Sequence, residues 1–204
     1  MQNPTEGYAR LSVLDGWRAI SILLVLAAHL LPLGPKSLHL NETAGAMGMS
    51  LFFTLSGFLI TRLLLKDEGI PSFIIKRFFR IVPLAWLVLT ISLFVNQANL
   101  SVYTSHLLFY SNLPPTSLIS TTSHFWSLCV EMQFYVAIAI FVRLAGSRYL
   151  VVLPVVCLLI TLYRVTEGAY IDIVTIRRVD EILAGCILAL AFSNMIGVHL
   201  NRLL

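Results

Sequence analysis

What this sequence has least of is charge. Only 12% of its 204 residues are Asp, Glu, Lys or Arg, while 58% are hydrophobic. A soluble domain ordinarily carries roughly 25% charged residues, and a chain this apolar could not cover a water-facing surface with so few ions. A soluble globular fold is thereby excluded. The three cysteines, Cys129, Cys157 and Cys186, stand inside apolar runs with no CxxC pair and no metal-ligand spacing. They read as small packing residues, and no metal site is expected. Repeats, low-complexity tracts and a soluble domain are also missing, which leaves one domain over residues 1–204. The net charge of +4 does not signal nucleic acid, because the basic residues gather at the ends of apolar runs rather than in a stripe among aromatics.

What is present is a series of long apolar segments. A bilayer core of ~30 Å needs about 20 mostly apolar residues in a helix. Six segments approach that length: Trp17–Leu33, Met47–Leu65, Ile81–Val95, Phe125–Leu144, Tyr149–Val165 and Val179–Ile196. The first has no clean small-x-small cleavage site behind it and reads as a retained span. Ser105–Leu113 is too short to cross and reads as an interfacial or re-entrant piece. The expected fold is all-α: a polytopic integral-membrane helix bundle of about six transmembrane helices.

Lysine and arginine set the orientation. With the amino terminus in the cytoplasm, that side carries Arg10, Arg18, Arg62, Lys66, Lys76, Arg77, Arg80, Arg143, Arg148 and Arg202. The other side carries only Lys36, Arg164, Arg177 and Arg178, and the connection from Asn96 to His124 has neither residue type. Such asymmetry marks translocated loops and returns the carboxyl terminus inside. Between the second and third spans, Pro71–Arg80 alternates Phe73, Ile74 and Phe78 with Lys76, Arg77 and Arg80. That pattern predicts an amphipathic helix on the cytoplasmic membrane surface. It serves either as a lipid anchor or as a landing site for a phosphorylated ligand, since arginine forks match phosphate oxygens.

Ionisable residues inside spans are costly, so each is a candidate for function. Arg18 and His29 are eleven residues apart, three helical turns plus about 20°, and so share a face ~16 Å apart along the axis. Asp15 lies on the same stripe. A histidine facing a bundle interior can act as a general base near neutral pH, or it can be a structural partner of a neighbouring helix. Glu131, early in the fourth span, can pair a buried cation, or orient the histidine and stabilise its imidazolium. The two are expected to face one another, or one shared cavity, inside the bundle, because either ion is costly in lipid. Asp180 and Glu181 open the last span, where negative charge at a helix amino terminus is favourable in any case.

Five stretches in order say more than spacing does. They are Leu14-Asp15-Gly16-Trp17-Arg18-Ala19-Ile20 leading to His29, Ser50 through Ile60, Arg77-Phe78-Phe79-Arg80-Ile81-Val82-Pro83, Phe125 through Tyr135 with its Trp126-Ser127-Leu128 start, and Arg178-Val179-Asp180. Together they make the chain resemble the acyltransferase 3 family of integral-membrane acyltransferases. The resemblance implies transfer of an acyl group, usually acetyl from acetyl-CoA, to a hydroxyl of a carbohydrate, a lipid-linked glycan or another acceptor. It implies a bacterial inner-membrane setting and no bound cofactor, with acyl-CoA as donor substrate. Carried over by position, His29 and Glu131 are the catalytic pair. Arg18, Arg77 and Arg80 bind the donor, and Asp15, Trp126, Ser127 and Asp180 support the site. Met132 stands where the family often has a second acid, and the chain is C-terminally short relative to the family. The isolated chain is therefore expected either to self-associate through the face that would meet the missing helices or to have little activity as a monomer, with Arg164, Glu167, Asp172 and Arg177 lacking neighbours.

Two other readings compete with the enzyme. One is a transporter subunit with His29 and Glu131 as a proton relay, for which related halves and Gly/Pro-broken spans are missing. The other is a catalytically inactive membrane partner. The topology itself has a direct check. A reporter fused near Asn112 is expected on the extracytoplasmic side and one near Asp67 in the cytoplasm; the same side for both would displace the second and third spans.

Overall fold

The computed structural model describes residues 12–66, 69–169 and 172–196. Arg10, Asp67 and Arg202, used above for orientation, lie outside the described residues. Among these residues there is no strand, and the helices run α1 (Ser12–Leu30), α2 (Leu40–Leu65), α3 (Ile70–Val95), α4 (Leu100–Leu107), α5 (Trp126–Ala145), α6 (Leu153–Thr166) and α7 (Asp180–Phe192). Five segments are long and apolar enough to cross a bilayer: Val13–Leu30, Leu40–Leu65, Ile70–Val95, Ser120–Ala145 and Ser147–Thr166. The protein is an all-α integral membrane helix bundle. The chain divides into two compact units, Met1–Ser56 and Gly57–Leu204.

In the first unit, α1 and the start of α2 form a helical hairpin closed by one side chain. A helix leaves its last carbonyls without intrahelical partners, and here the Asn41 amide donates to the carbonyls of Ala28 (2.7 Å) and Leu31 (2.6 Å). Its own oxygen accepts the Leu33 N–H at 3.2 Å. Small residues then let the helices approach: a Cβ at Gly48 would lie 2.8 Å from the Ser21 carbonyl, and one at Gly45 3.4 Å from the Ala28 Cβ. Without a hydrophobic drive in lipid, such close backbone packing is what holds helices together.

In the second unit, α3 and α5 pack side by side in opposite directions. Phe73 of α3 meets Tyr135 of α5, while farther along α3 Val82, Leu89 and Leu93 cluster with Phe109, Phe125 and Cys129. The α3 helix corrects one expectation. Pro71–Arg80 is not a separate surface helix; it is the first part of a continuous 26-residue helix. Pro71 sits in the first turn, where a missing N–H costs nothing, and no breaker separates Arg80 from Ile81. At 1.5 Å per residue the helix is ~39 Å long, so Arg77 and Arg80 stand well along its length.

The last expected span also differs. The helix there is α7, with 13 residues, ~20 Å long and short of the ~30 Å core. A 3-10 turn at Thr175–Arg177 precedes it, and turns follow from Ser193. Within this unit α7 lies against the carboxyl-terminal part of α2 at Gly57, where an added Cβ would fall 1.9 Å from the Ile182 carbonyl oxygen. The Cys186 thiol faces the Gly57 carbonyl at 3.7 Å. Overpacking a close contact of this kind costs ~1–3 kcal/mol. Gly57→Ala is therefore expected to lower the thermal midpoint in detergent, and Gly57→Leu to prevent accumulation of folded protein. An unchanged midpoint in Gly57→Leu would refute the contact.

Candidate active site

In the first unit α1 runs unbroken from Ser12 to Leu30, so Arg18 and His29 keep the shared face and ~16 Å spacing of an ideal helix. The His29 Nδ1 lies 2.7 Å from the Val25 carbonyl oxygen. A carbonyl only accepts, so Nδ1 carries the proton and Nε2 is the basic nitrogen of the neutral ring. His29 is exposed, as is Asp15, which stands in the first turn of α1 where the helix dipole favours a carboxylate. Arg18 is half-buried, and its carbonyl accepts the Ser21 hydroxyl at 2.7 Å.

The second unit brings Glu131 and Arg77 together through Tyr135, to which no sequence motif assigns a role. Glu131 is 3% exposed and accepts a hydrogen bond from the Tyr135 hydroxyl, one helical turn on. The Tyr135 ring is held from α3 by two side chains. Phe73 meets it edge-on at 6.0 Å and 73°, and the Arg77 guanidinium carbon lies 5.6 Å from its centroid. Arg80, three residues on, is exposed and lines a cleft along α3 with Leu84, Val88, His124 and Leu128.

Trp126 and Ser127 open α5. The Ser127 hydroxyl donates to the His124 carbonyl at 3.1 Å, and the buried Arg178 guanidinium lies 5.6 Å from the Trp126 ring centroid. Asp180 is not simply a dipole partner at the start of α7: its carboxylate lies 3.0 Å from the Arg164 guanidinium. Arg177 bridges Asp172 at 3.0 Å and Glu167 at 3.4 Å. The four residues expected to lack neighbours are thus paired within the chain, because the turn between α6 and α7 folds their opposite charges onto one another.

A half-buried amide cluster around the fully buried Asn112, also unassigned from sequence, fixes the segments around α5. The Gln133 amide nitrogen donates to the Phe109 carbonyl (2.7 Å) and to Asn112 Oδ1 (2.9 Å). The Asn112 nitrogen donates to the Ile173 carbonyl and to Thr175 Oγ1, each at 2.9 Å. Thr175 returns its proton to Gln133 Oε1 at 2.5 Å. Every amide proton is used, as burial demands. The only sequence signal was the polar character of Gln133 inside a span. Nearby, His106 is buried, stacks on Phe125 and accepts from the Thr122 hydroxyl at 2.8 Å. Burial pushes its pKa down against the raising effect of the Val102 carbonyl, so the ring is neutral. Among the described residues, no group of three or more His, Cys, Asp or Glu side chains converges to hold a metal.

Comparison with known proteins adds to this geometry. The family model described as an acyltransferase domain, that of acyltransferase 3, matches residues 11–199. A candidate peptidoglycan O-acetyltransferase of Bacillus subtilis (strain 168), YrhL, is 29% identical over all of this chain and 36% of its own length. The peptidoglycan O-acetyltransferase OatA of Listeria monocytogenes serovar 1/2a is 27% identical over 91% of this chain and 35% of its own length. A candidate O-acetyltransferase of Staphylococcus aureus (strain COL) is 31% identical over 66% of this chain and 26% of its own length. The chain thus spans about a third or less of the relatives it matches. No solved structure matches it.

The ion pairs between α6 and α7 give a pH dependence with a definite sign. Burial pushes the Asp172 carboxyl up, but the N–H groups of Val174 and Ile173 and the Arg177 guanidinium outweigh it and leave the pKa lowered. A lowered folded value means the ionised form stabilises the fold at neutral pH. That contribution is lost as pH falls from the ordinary carboxylate value of about 3.9 through the folded one. Asp172→Asn is expected to melt lower at pH 7 and to lose less on acidification below about pH 4. Melting curves recorded across that range in detergent would show it, and parallel curves for the two proteins would count against it.

Proposed function

The chain belongs to the acyltransferase 3 family, and from that membership we propose that it is a membrane acyltransferase. It moves an acetyl group from acetyl-CoA to a hydroxyl of a carbohydrate, with peptidoglycan glycan as the first acceptor to test. The observation that carries this reading, beside the family match over residues 11–199, is the fixed tautomer of His29. Its Nδ1–H faces the Val25 carbonyl, and Nε2, the unprotonated nitrogen of that tautomer, is the atom proposed to take the acceptor's proton.

In the proposed reaction the acceptor oxygen attacks the thioester carbonyl as its proton passes to His29 Nε2. The tetrahedral intermediate collapses with cleavage of the carbon–sulfur bond, and the imidazolium returns the proton to the departing CoA thiolate. Atoms and charges balance without any group beyond donor and acceptor. The donor's phosphates call for cationic forks, and Arg18, Arg77 and Arg80 supply that chemistry. Glu131 is proposed as the buried carboxylate on which turnover depends. Trp126, Ser127 and Asp180 support it by fixing the starts of α5 and α7. The proposed setting is the bacterial inner membrane with the amino terminus in the cytoplasm.

Purified protein in nanodiscs, given acetyl-CoA and soluble peptidoglycan glycan fragments, tests the reading by CoA release and acceptor acetylation. His29→Ala is expected to lower kcat by on the order of 10²–10⁴ with acetyl-CoA binding retained. Arg77→Ala and Arg80→Ala are expected to weaken acetyl-CoA binding by about ten- to a hundredfold, the worth of a charge-assisted hydrogen bond. Equal loss of donor binding in all three would make His29 structural.

A further inference from the structure

Two pairs of residues, each one helical turn apart, interlock between α3 and α5. On α5, Glu131 and Tyr135 share a face, and the Tyr135 hydroxyl donates to the Glu131 carboxylate. On α3, Phe73 and Arg77 share a face and grip the Tyr135 ring, one by its edge and the other as a cation 5.6 Å from its centroid. Tyr135 and Glu131 are both almost wholly enclosed, at 2% and 3% exposure. A carboxyl group enclosed in this way needs a hydrogen-bond partner, because burying it without one is costly, and it takes the position its donor dictates. The phenol that supplies this bond cannot rotate away, because Phe73 and Arg77 hold its ring. The cation near the ring also draws electron density from it, which makes the hydroxyl a stronger donor.

We propose that Tyr135 is a positioning residue for acyl transfer: through its hydroxyl it holds Glu131 in a single orientation, and through its ring it links that carboxylate to the Arg77 guanidinium. This inference rests on the proposed roles of Glu131 and Arg77 and adds a residue with two separable functions. The hydroxyl serves turnover, and the ring serves the donor site. Donor phosphate bound at Arg77 therefore acts on a guanidinium whose resting contact is the same ring that orients Glu131.

The two functions part in a pair of substitutions. Tyr135→Phe keeps the ring and loses the hydroxyl. It is expected to lower kcat roughly tenfold, the loss of about one buried hydrogen bond, while acetyl-CoA Kd stays within about twofold of the wild type. Tyr135→Leu loses the ring as well, and is expected to weaken acetyl-CoA binding in addition. A double-mutant cycle then ties the first effect to its target: in Glu131→Gln, adding Tyr135→Phe is expected to cost nothing further. Wild-type kcat in Tyr135→Phe, or a full additional loss on top of Glu131→Gln, would overturn this inference while leaving the proposed function standing. Loss of acetyl-CoA binding in Tyr135→Phe would overturn it as well, by showing a merely structural tyrosine. Full activity in Glu131→Gln would remove the proposed role of Glu131 itself, and the positioning role would fall with it.

Discussion

Hydrocarbon offers a polar group no solvent, so every hydrogen bond that water would have supplied must come from the protein. That constraint organises the second unit around α5. The helix brings Glu131 and Gln133 inward within three positions of each other, and each requires a separate set of partners. Glu131 draws Tyr135, and through it Phe73 and Arg77 of α3. Gln133 draws Asn112, Thr175 and the Phe109 carbonyl from segments on either side in the sequence. Position of the candidate site and closure of the polar network are thus one event. A shift of α5 by a single residue would strand both side chains.

The same constraint explains the hairpin of the first unit. The carbonyls of Ala28, in the last turn of α1, and of Leu31, just past its end, have no further turn to receive them, and Asn41 satisfies both. By fixing the carboxyl-terminal end of α1, that side chain also fixes the turn that carries His29. The imidazole then sets its Nδ1 against the Val25 carbonyl one turn back, which assigns its tautomer.

Much of this was legible in the residues. Apolar runs of span length revealed the all-α membrane class, because nothing else tolerates so little charge. The Arg18–His29 spacing survives because α1 has no breaker, and ideal helical arithmetic holds along it. Where the structure departs from the sequence pattern, the cause is physical. Alternating Phe and Arg over Pro71–Arg80 suggests a helix lying on a surface, yet the same alternation serves the first part of the long, span-length helix α3, where Phe73 is buried and Arg77 meets an aromatic ring. For the last apolar run, hydropathy counted residues beyond Phe192 that turn instead of continuing α7. The partners of Gln133 were beyond reach, since Asn112 and Thr175 lie 21 and 42 positions away and no local pattern joins residues so far apart.

Those separations also order the birth of the fold. Domains are made from the amino terminus onward at roughly 5–20 residues per second, and contacts close at a rate set by how far apart their residues lie. Asn41 needs only the ten to thirteen residues behind it, so the α1–α2 hairpin can form as soon as it leaves the ribosome. The amide cluster is different. Asn112 and Gln133 can meet early, but Thr175 and the Ile173 carbonyl are still unsynthesised when they do. For some forty residues of synthesis, Gln133 Oε1 and the Asn112 amide protons must be held by something else. Water at the edge of the insertion machinery is the natural substitute, until the turn after α6 brings Ile173 and Thr175 to replace it.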